Sequence, residues 1–148
     1  MKPTSAHLPQ ISVRNLQRRV VVDRNALESF AERALQLCKA LPRNSTSALN
    51  SLRKIYVLIV SERKISDLHR RFMQISGPTD VITFEHGELF ISAETARRHA
   101  KIFGKTLERE LRLYIVHGLL HLHGFDDKTS AGAREMKRIQ ERILSSAA

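Results

Sequence analysis

His117-Gly118-Leu119-Leu120-His121-Leu122-His123-Gly124-Phe125-Asp126-Asp127 is the stretch on which the reading of this chain turns. Its eleven residues hold three imidazoles and two carboxylates, begin inside an apolar run and break at a glycine. If the run is helical, His117 and His121 stand one turn apart on one face, where two imidazoles can grip one divalent ion. Gly124 can take the left-handed conformation that ends a helix and turns the chain back. Asp126 and Asp127 follow that turn, and one of them could supply a third ligand.

Two histidines four apart are a weak signal alone, because most such residues are ordinary members of a core. Their surroundings strengthen it. The run is too apolar to hold two imidazoles without a partner. The spacing His-x3-His-x2-Gly-x2-ligand is that of zinc sites in which a residue beyond a glycine turn completes a helical pair. It designates His117, His121 and Asp127 as ligands of one Zn²⁺ per chain, with a fourth position left for water, the catalytic pattern. His123 is the rival third ligand, but it lies two residues after His121, about 200° round a helix, so unless the helix has already unwound it should face away as a surface or supporting histidine. Asp126 is expected to hold an imidazole from the turn.

Water on such an ion has its pKa lowered toward neutrality and can act as a hydroxide nucleophile. Zinc peptidases place a glutamate base directly after the first histidine; here that residue is Gly118. Phosphodiester cleavage is therefore favoured over peptide cleavage. A metallopeptidase or other zinc hydrolase, and a non-catalytic binding factor with a structural metal, are the competing readings.

The composition agrees with a nucleic-acid partner. The 148 residues suit one domain with one core, and 42% hydrophobic with 27% charged residues is ordinary for a globular protein. No apolar run reaches the length of a membrane span, and the N-terminal stretch has no hydrophobic signal core. One cysteine, Cys38, excludes an internal disulfide and fits a reducing cytoplasm, where no disulfide-linked partner is expected. A net charge of +10 favours polyanions over other partners. All 25 Lys and Arg lie outside Phe72 to Ala96, a window that carries Asp80, Glu85, Glu88 and Glu94. With no Trp and 5% aromatics there is little material for base stacking, so any nucleic-acid binding should lean on phosphate contacts.

Hydrophobic periodicity gives the elements. Ile11 to Arg19 reads as a strand. Asp23 or Asn25 caps a helix that Pro42 ends, and Arg43 to Asn50 is a polar connection. Lys54 to Val60 is a central strand. Ser61 caps a basic helix over Glu62 to Phe72, with Ile65, Leu68 and Phe72 inward. Gly77-Pro78-Thr79-Asp80 is a turn, and Val81 to Phe84 pairs with Leu89 to Ser92 as a hairpin. Helices follow over Ala93 to Phe103, from Thr106 through Leu122, and from Ser130 to Leu144. The order β-α-β-α-β-β-α-α-α predicts an α+β fold: a mixed four-stranded sheet, helices mainly on one face, and a buried central helix carrying the histidines.

Two motifs together resemble the YbeY endoribonucleases, bacterial metal-dependent enzymes of ribosomal RNA maturation. The family signature His-Gly-x-Leu-His-Leu-x-Gly-(Tyr or Phe)-Asp-His is met from His117 to Asp126. A second, Pro-Thr-(Asp or Asn)-Val-(Leu or Ile)-(Ser or Thr)-Phe, is met from Pro78 to Phe84, with Gly87 to Ser92 after it. The resemblance covers Lys54 to the end well and the first third only by pattern. It implies a single α+β domain over 1–148, a zinc held by three ligands, and single-strand-specific cleavage of 16S ribosomal RNA in 3′-end maturation and ribosome quality control. Ribosomal RNA and the ribosome would be its partners, in the cytoplasm and as a monomer. It also makes Thr79 and Asp80 site candidates. Two positions depart from the pattern: the family's third histidine is Asp127 here, and an arginine tied to RNA binding or catalysis is Met73. Arg70 and Arg71, just before Met73, are the residues that could take over phosphate binding.

Overall fold

The computed structural model describes residues 8–42, 47–77 and 79–148. Pro78 of the expected turn and 43–46 of the polar connection lie outside them. Strand β1 (Gln10–Asn15) leads into helix α1 (Arg24–Ala40), strand β2 (Lys54–Val60) and helix α2 (Glu62–Met73). The hairpin β3 (Val81–Phe84) and β4 (Glu88–Ser92) precedes three helices, α3 (Ala93–Phe103), α4 (Leu107–Leu122) and α5 (Ser130–Ala147). The sheet order is β1-β2-β4-β3, with β3 antiparallel on β4 and the other pairs parallel. This is the α+β mixed sheet that the element order predicts.

Both faces of the sheet are covered, unequally. Ile55, Val57, Ile59, Leu89 and Ile91 point to the main core with Phe30 and Leu35 of α1 and Leu111, Ile115 and Leu119 of α4. Each such side chain, fully buried, contributes about 1.5–3 kcal/mol before the entropy of ordering the chain is set against it. Val60, Ile65, Leu68 and Ile82 form a small second cluster under α2 on the opposite face. Helix α4 is buried nearly all round, because α1, α3, α5 and the hairpin all pack against it. No helix among the described residues is long and apolar enough to cross a membrane.

Caps explain the helix boundaries. Asp23, Ser61, Ser92, Thr106 and Thr129 each accept a backbone N–H of the first turn they precede. The edge strand β1 is protected by α1: Val13 N–H donates to Glu28 Oε1 and Arg24 donates to the Val13 carbonyl. That leaves the edge less open to another strand. Together the Val13 bond and Arg24 hold the Glu28 carboxyl below its ordinary pKa.

Three expectations are corrected. Strand β1 stops at Asn15 rather than Arg19, because Gln17 both donates to the Val20 carbonyl and accepts its N–H, folding the chain into a side-chain-held loop. Helix α5 runs on to Ala147, whose carbonyl accepts from Arg33 Nε of α1. Phe72, expected inward on the stripe of Ile65 and Leu68, is 59% exposed, since it lies beyond the buried part of α2.

Candidate metal centre

The C-terminus of α4 builds the site. Gly124 has φ of +97°, and its N–H bonds to the His121 carbonyl while the Phe125 N–H reaches back to that of Leu120. This is the Schellman arrangement, closed by burial of the Phe125 ring at the turn. The reversal carries Asp127 back alongside the last turn of the helix it has just left. Its Oδ2 comes within 3.8 Å of His117 Nε2 and its Oδ1 within 3.9 Å of His121 Nε2. The two imidazole Nε2 atoms are 2.9 Å apart. One ligand atom from each residue thus falls within 4.8 Å of the others. Two donors on one tetrahedral zinc ion stand about 3.3 Å apart, from bonds of about 2.0–2.1 Å. The imidazole nitrogens stand closer than that and the carboxylate oxygens, one facing each imidazole, stand farther, so the donor set fits a small divalent ion once the Asp127 side chain draws in.

The protonation chemistry also suits a ligand set. His117 Nδ1 is hydrogen-bonded to Gln140 Oε1 of α5. An amide oxygen only accepts, so Nδ1 carries the proton and Nε2 is left with its lone pair toward the cluster. Burial, and then the neighbouring His117, push the His121 pKa below the usual histidine value, against the pull of Asp127 and a hydrogen bond to the Phe125 backbone. The neutral ring, the form that binds metal, is favoured.

Gly118 carries a steric meaning as well as a chemical one. A Cβ at this position would come 2.3 Å from Leu89 Cδ2 and 2.7 Å from Leu89 Cγ. The α4 backbone lies directly on β4 here, which is how the histidine pair is brought down to the sheet. A glutamate at 118 has no room, so no peptidase-type base can stand after His117.

The cluster opens into a cleft of about 430 Å³ lined by Met73, Thr79, Asp80, Thr83, Glu85 and the three ligand candidates. The Asp80 side chain accepts the Val81 N–H, fixing the start of β3, while Glu85 stands exposed after its end. Arg70 and Arg71 do not line this cleft. Both reach Asp67 on their own helix, at 3.0 and 3.5 Å, and Arg70 borders a separate basic hollow with Arg63 and Lys64. His123 faces away from the cluster as expected, but it is neither surface nor support for a ligand. It is 3% exposed and tied to Ser47 Oγ and the Leu41 carbonyl, holding the end of α4 to the segment after α1. Asp126 accepts the Lys128 N–H and shapes the turn; the imidazole-holding role expected of it belongs to Gln140. A signal for Gln140 existed. It is the one polar residue in the inward stripe Met136, Ile139, Gln140, Ile143, Leu144.

The profile of the family described as Endoribonuclease YbeY matches residues 12–148. The chain is 39% identical over 103 residues to the endoribonuclease YbeY of Acholeplasma laidlawii, covering 64% of this chain and 75% of that one. It is 35% identical over 118 residues to that of Frankia alni, covering 66% and 65%. Among solved structures it is similar to the solution structure of TM1509 from Thermotoga maritima, with a TM-score of 0.63 and 26% identity over 93% of this chain and 88% of that one.

Proposed function

The chain belongs to the YbeY endoribonuclease family, and from that membership we propose that it is a metal-dependent endoribonuclease that cuts single-stranded RNA. Its substrate is ribosomal RNA at the 3′ end of the 16S species, within ribosome maturation and quality control in the cytoplasm. The observation that carries the reading is the convergence of His117, His121 and Asp127 at the floor of a cleft. His117, His121 and Asp127 would hold a divalent ion there, Zn²⁺ first, which would supply Lewis-acid stabilisation of the phosphodiester and lower the pKa of a water toward neutrality.

The chain's own residues do the rest. Gln140 locks the His117 tautomer, and burial keeps His121 neutral. Asp127 contributes a negative oxygen to the donor set, which makes the centre harder than one with three imidazoles. Glu85 is the exposed carboxylate of the cleft outside the ligand set, available to take or return a proton. Gly118 removes the peptidase base and so disfavours peptide hydrolysis.

Purified protein should contain about one equivalent of divalent metal and cut unstructured RNA, and a chelator should abolish cutting. His117→Ala and His121→Ala should lose both metal and cleavage. Cleavage that survives in either variant at wild-type rate would overturn the assignment, and RNA binding with bound metal but no turnover would favour a structural metal instead.

A further inference from the structure

Phe72 is one of several large apolar side chains left at the surface, at 59% exposed, with Met73 and Ile75 exposed close by in the chain. It does not stand alone. Its ring meets Phe84 edge-on at 5.4 Å between centroids, Phe84 stacks on His86 at 5.5 Å and 22°, and Phe90 closes the group edge-on at 5.8 Å. Half of the six phenylalanines therefore gather at one corner of the sheet. His86 is held by Glu88, with its side chain 68% exposed. Phe84 and Phe90 are half-buried and fix the rings beside them, so Phe72 and His86 are supported aromatic surfaces rather than loose side chains.

The corner adjoins the metal cleft. Met73 and Glu85, the chain neighbours of Phe72 and His86, both line that cleft. Arg71 lies over the Phe72 ring at 5.8 Å from its centroid, which adds a cation at the same place. A rigid aromatic ring, solvent-open and flanked by a guanidinium, is the surface on which an unpaired nucleobase stacks. A paired base, closed between its neighbours in a duplex, cannot use it.

We propose that Phe72, with His86 beside it, is a base-stacking subsite for single-stranded RNA, holding a nucleotide next to the one at the metal. The subsite rests on the RNA-cleaving reading of the cleft and gives that reading a physical source of strand selectivity. Its occupant is a base because the corner continues directly into the site where the phosphodiester must lie.

The test reads binding alone, on chelator-treated protein, so that cleavage does not enter. Short single-stranded RNAs, each with one abasic nucleotide at a different position, are titrated by fluorescence anisotropy against wild type, Phe72→Ala and Phe72→Tyr. Phe72→Ala should weaken the intact oligonucleotide by about fivefold or more, on the scale of stacking one base. One abasic position should cost wild type a similar factor and cost Phe72→Ala nothing, and Phe72→Tyr should bind as wild type. Thermal melting should show Phe72→Ala folded, given the exposure of the ring. Unchanged affinity in Phe72→Ala would overturn the subsite, as would equal losses on single- and double-stranded RNA. Normal RNA affinity with lost ribosome association would assign the corner to a protein partner and overturn it too. An absence of RNA cleavage by metal-loaded wild type would defeat the enzymatic reading while leaving this binding result to stand or fall separately.

Discussion

Gly118→Ala sets two effects of opposite sign against each other, and the structure decides between them. Inside a helix, alanine is favoured over glycine by about 0.5–1 kcal/mol, because glycine loses more backbone freedom on folding. Against that, the new methyl would stand 2.3 Å from Leu89 Cδ2 and 2.7 Å from its Cγ, well inside van der Waals contact. Leu89 is itself fully buried, so it has no solvent-side space into which to turn. Overpacking of this kind costs about 1–3 kcal/mol. The clash should win, leaving Gly118→Ala destabilised by roughly 0.5–2 kcal/mol. Leu89→Ala alone should cost about 2–5 kcal/mol through the cavity it leaves. In that background the same Gly118→Ala change fills space instead of colliding, and should turn neutral or stabilising. Urea denaturation of the four proteins gives the coupling energy directly, expected at about 1–3 kcal/mol in favour of the double variant. Zinc titration of Gly118→Ala should also show weakened binding, since lifting α4 off β4 moves both imidazoles relative to Asp127. A Gly118→Ala protein more stable than wild type, or strictly additive costs, would refute the claim that close helix–sheet approach sets this position.

Gln140→Leu should lower metal affinity by about 10- to 100-fold through loss of the tautomer lock on His117, read by competition with a chromophoric chelator; unaltered affinity would remove Gln140 from the site. Asp127→His should raise affinity for Zn²⁺ relative to Mn²⁺, and paired titrations giving the same ratio as wild type would mean the carboxylate is not a ligand. Because the folded state holds the His121 pKa below its ordinary 6.5, metal-free protein binds fewer protons than the unfolded chain just below that value. Its stability should therefore be full above about pH 6.5 and fall as pH drops toward the folded pKa, whereas His121→Gln should flatten this part of the melting-versus-pH curve; parallel curves would contradict the shift. The salt dependence of single-stranded RNA binding should report its phosphate contacts, at a slope of about 0.7 per contact, and Phe72→Ala should weaken binding without altering that slope.

What could be read from the sequence was local in kind. The caps Asp23, Ser61 and Thr106 and the turn glycines place most helix ends, because a cap and its helix are neighbours in the chain. The pair His117 and His121 is legible for the same reason, and so is the return of Asp127 after Gly124. The contacts that escaped are those between distant segments. Gln140 meets His117 across 23 residues, and His123 meets Ser47 across 76; neither is set by any local spacing. Phe72 failed in another way. Its helical phase is right, but a phase cannot say how far the neighbouring sheet covers a helix, and the ring meets only the margin of the sheet at Phe84 and stays 59% exposed.

The two departures from the family pattern act in the same electrical direction. Asp127 in place of a histidine and Met73 in place of an arginine each make the cleft less positive. Among the described residues that line it are Asp80, Glu85 and Asp127, with no lysine or arginine. A phosphodiester entering such a cleft meets little side-chain attraction, although the protein as a whole carries +10. The positive charge stands on other faces, including the hollow of Arg63, Lys64 and Arg70 on α2. Attraction by the net positive charge can therefore bring RNA to the surface, while the cleft lining itself offers no basic side chain to hold it. Apart from a divalent ion at the cleft floor, a contact that positions the strand there has to be short-ranged and independent of basic side chains. Stacking on Phe72 has both properties, and it lies at the one corner where the acidic cleft and the basic helix meet.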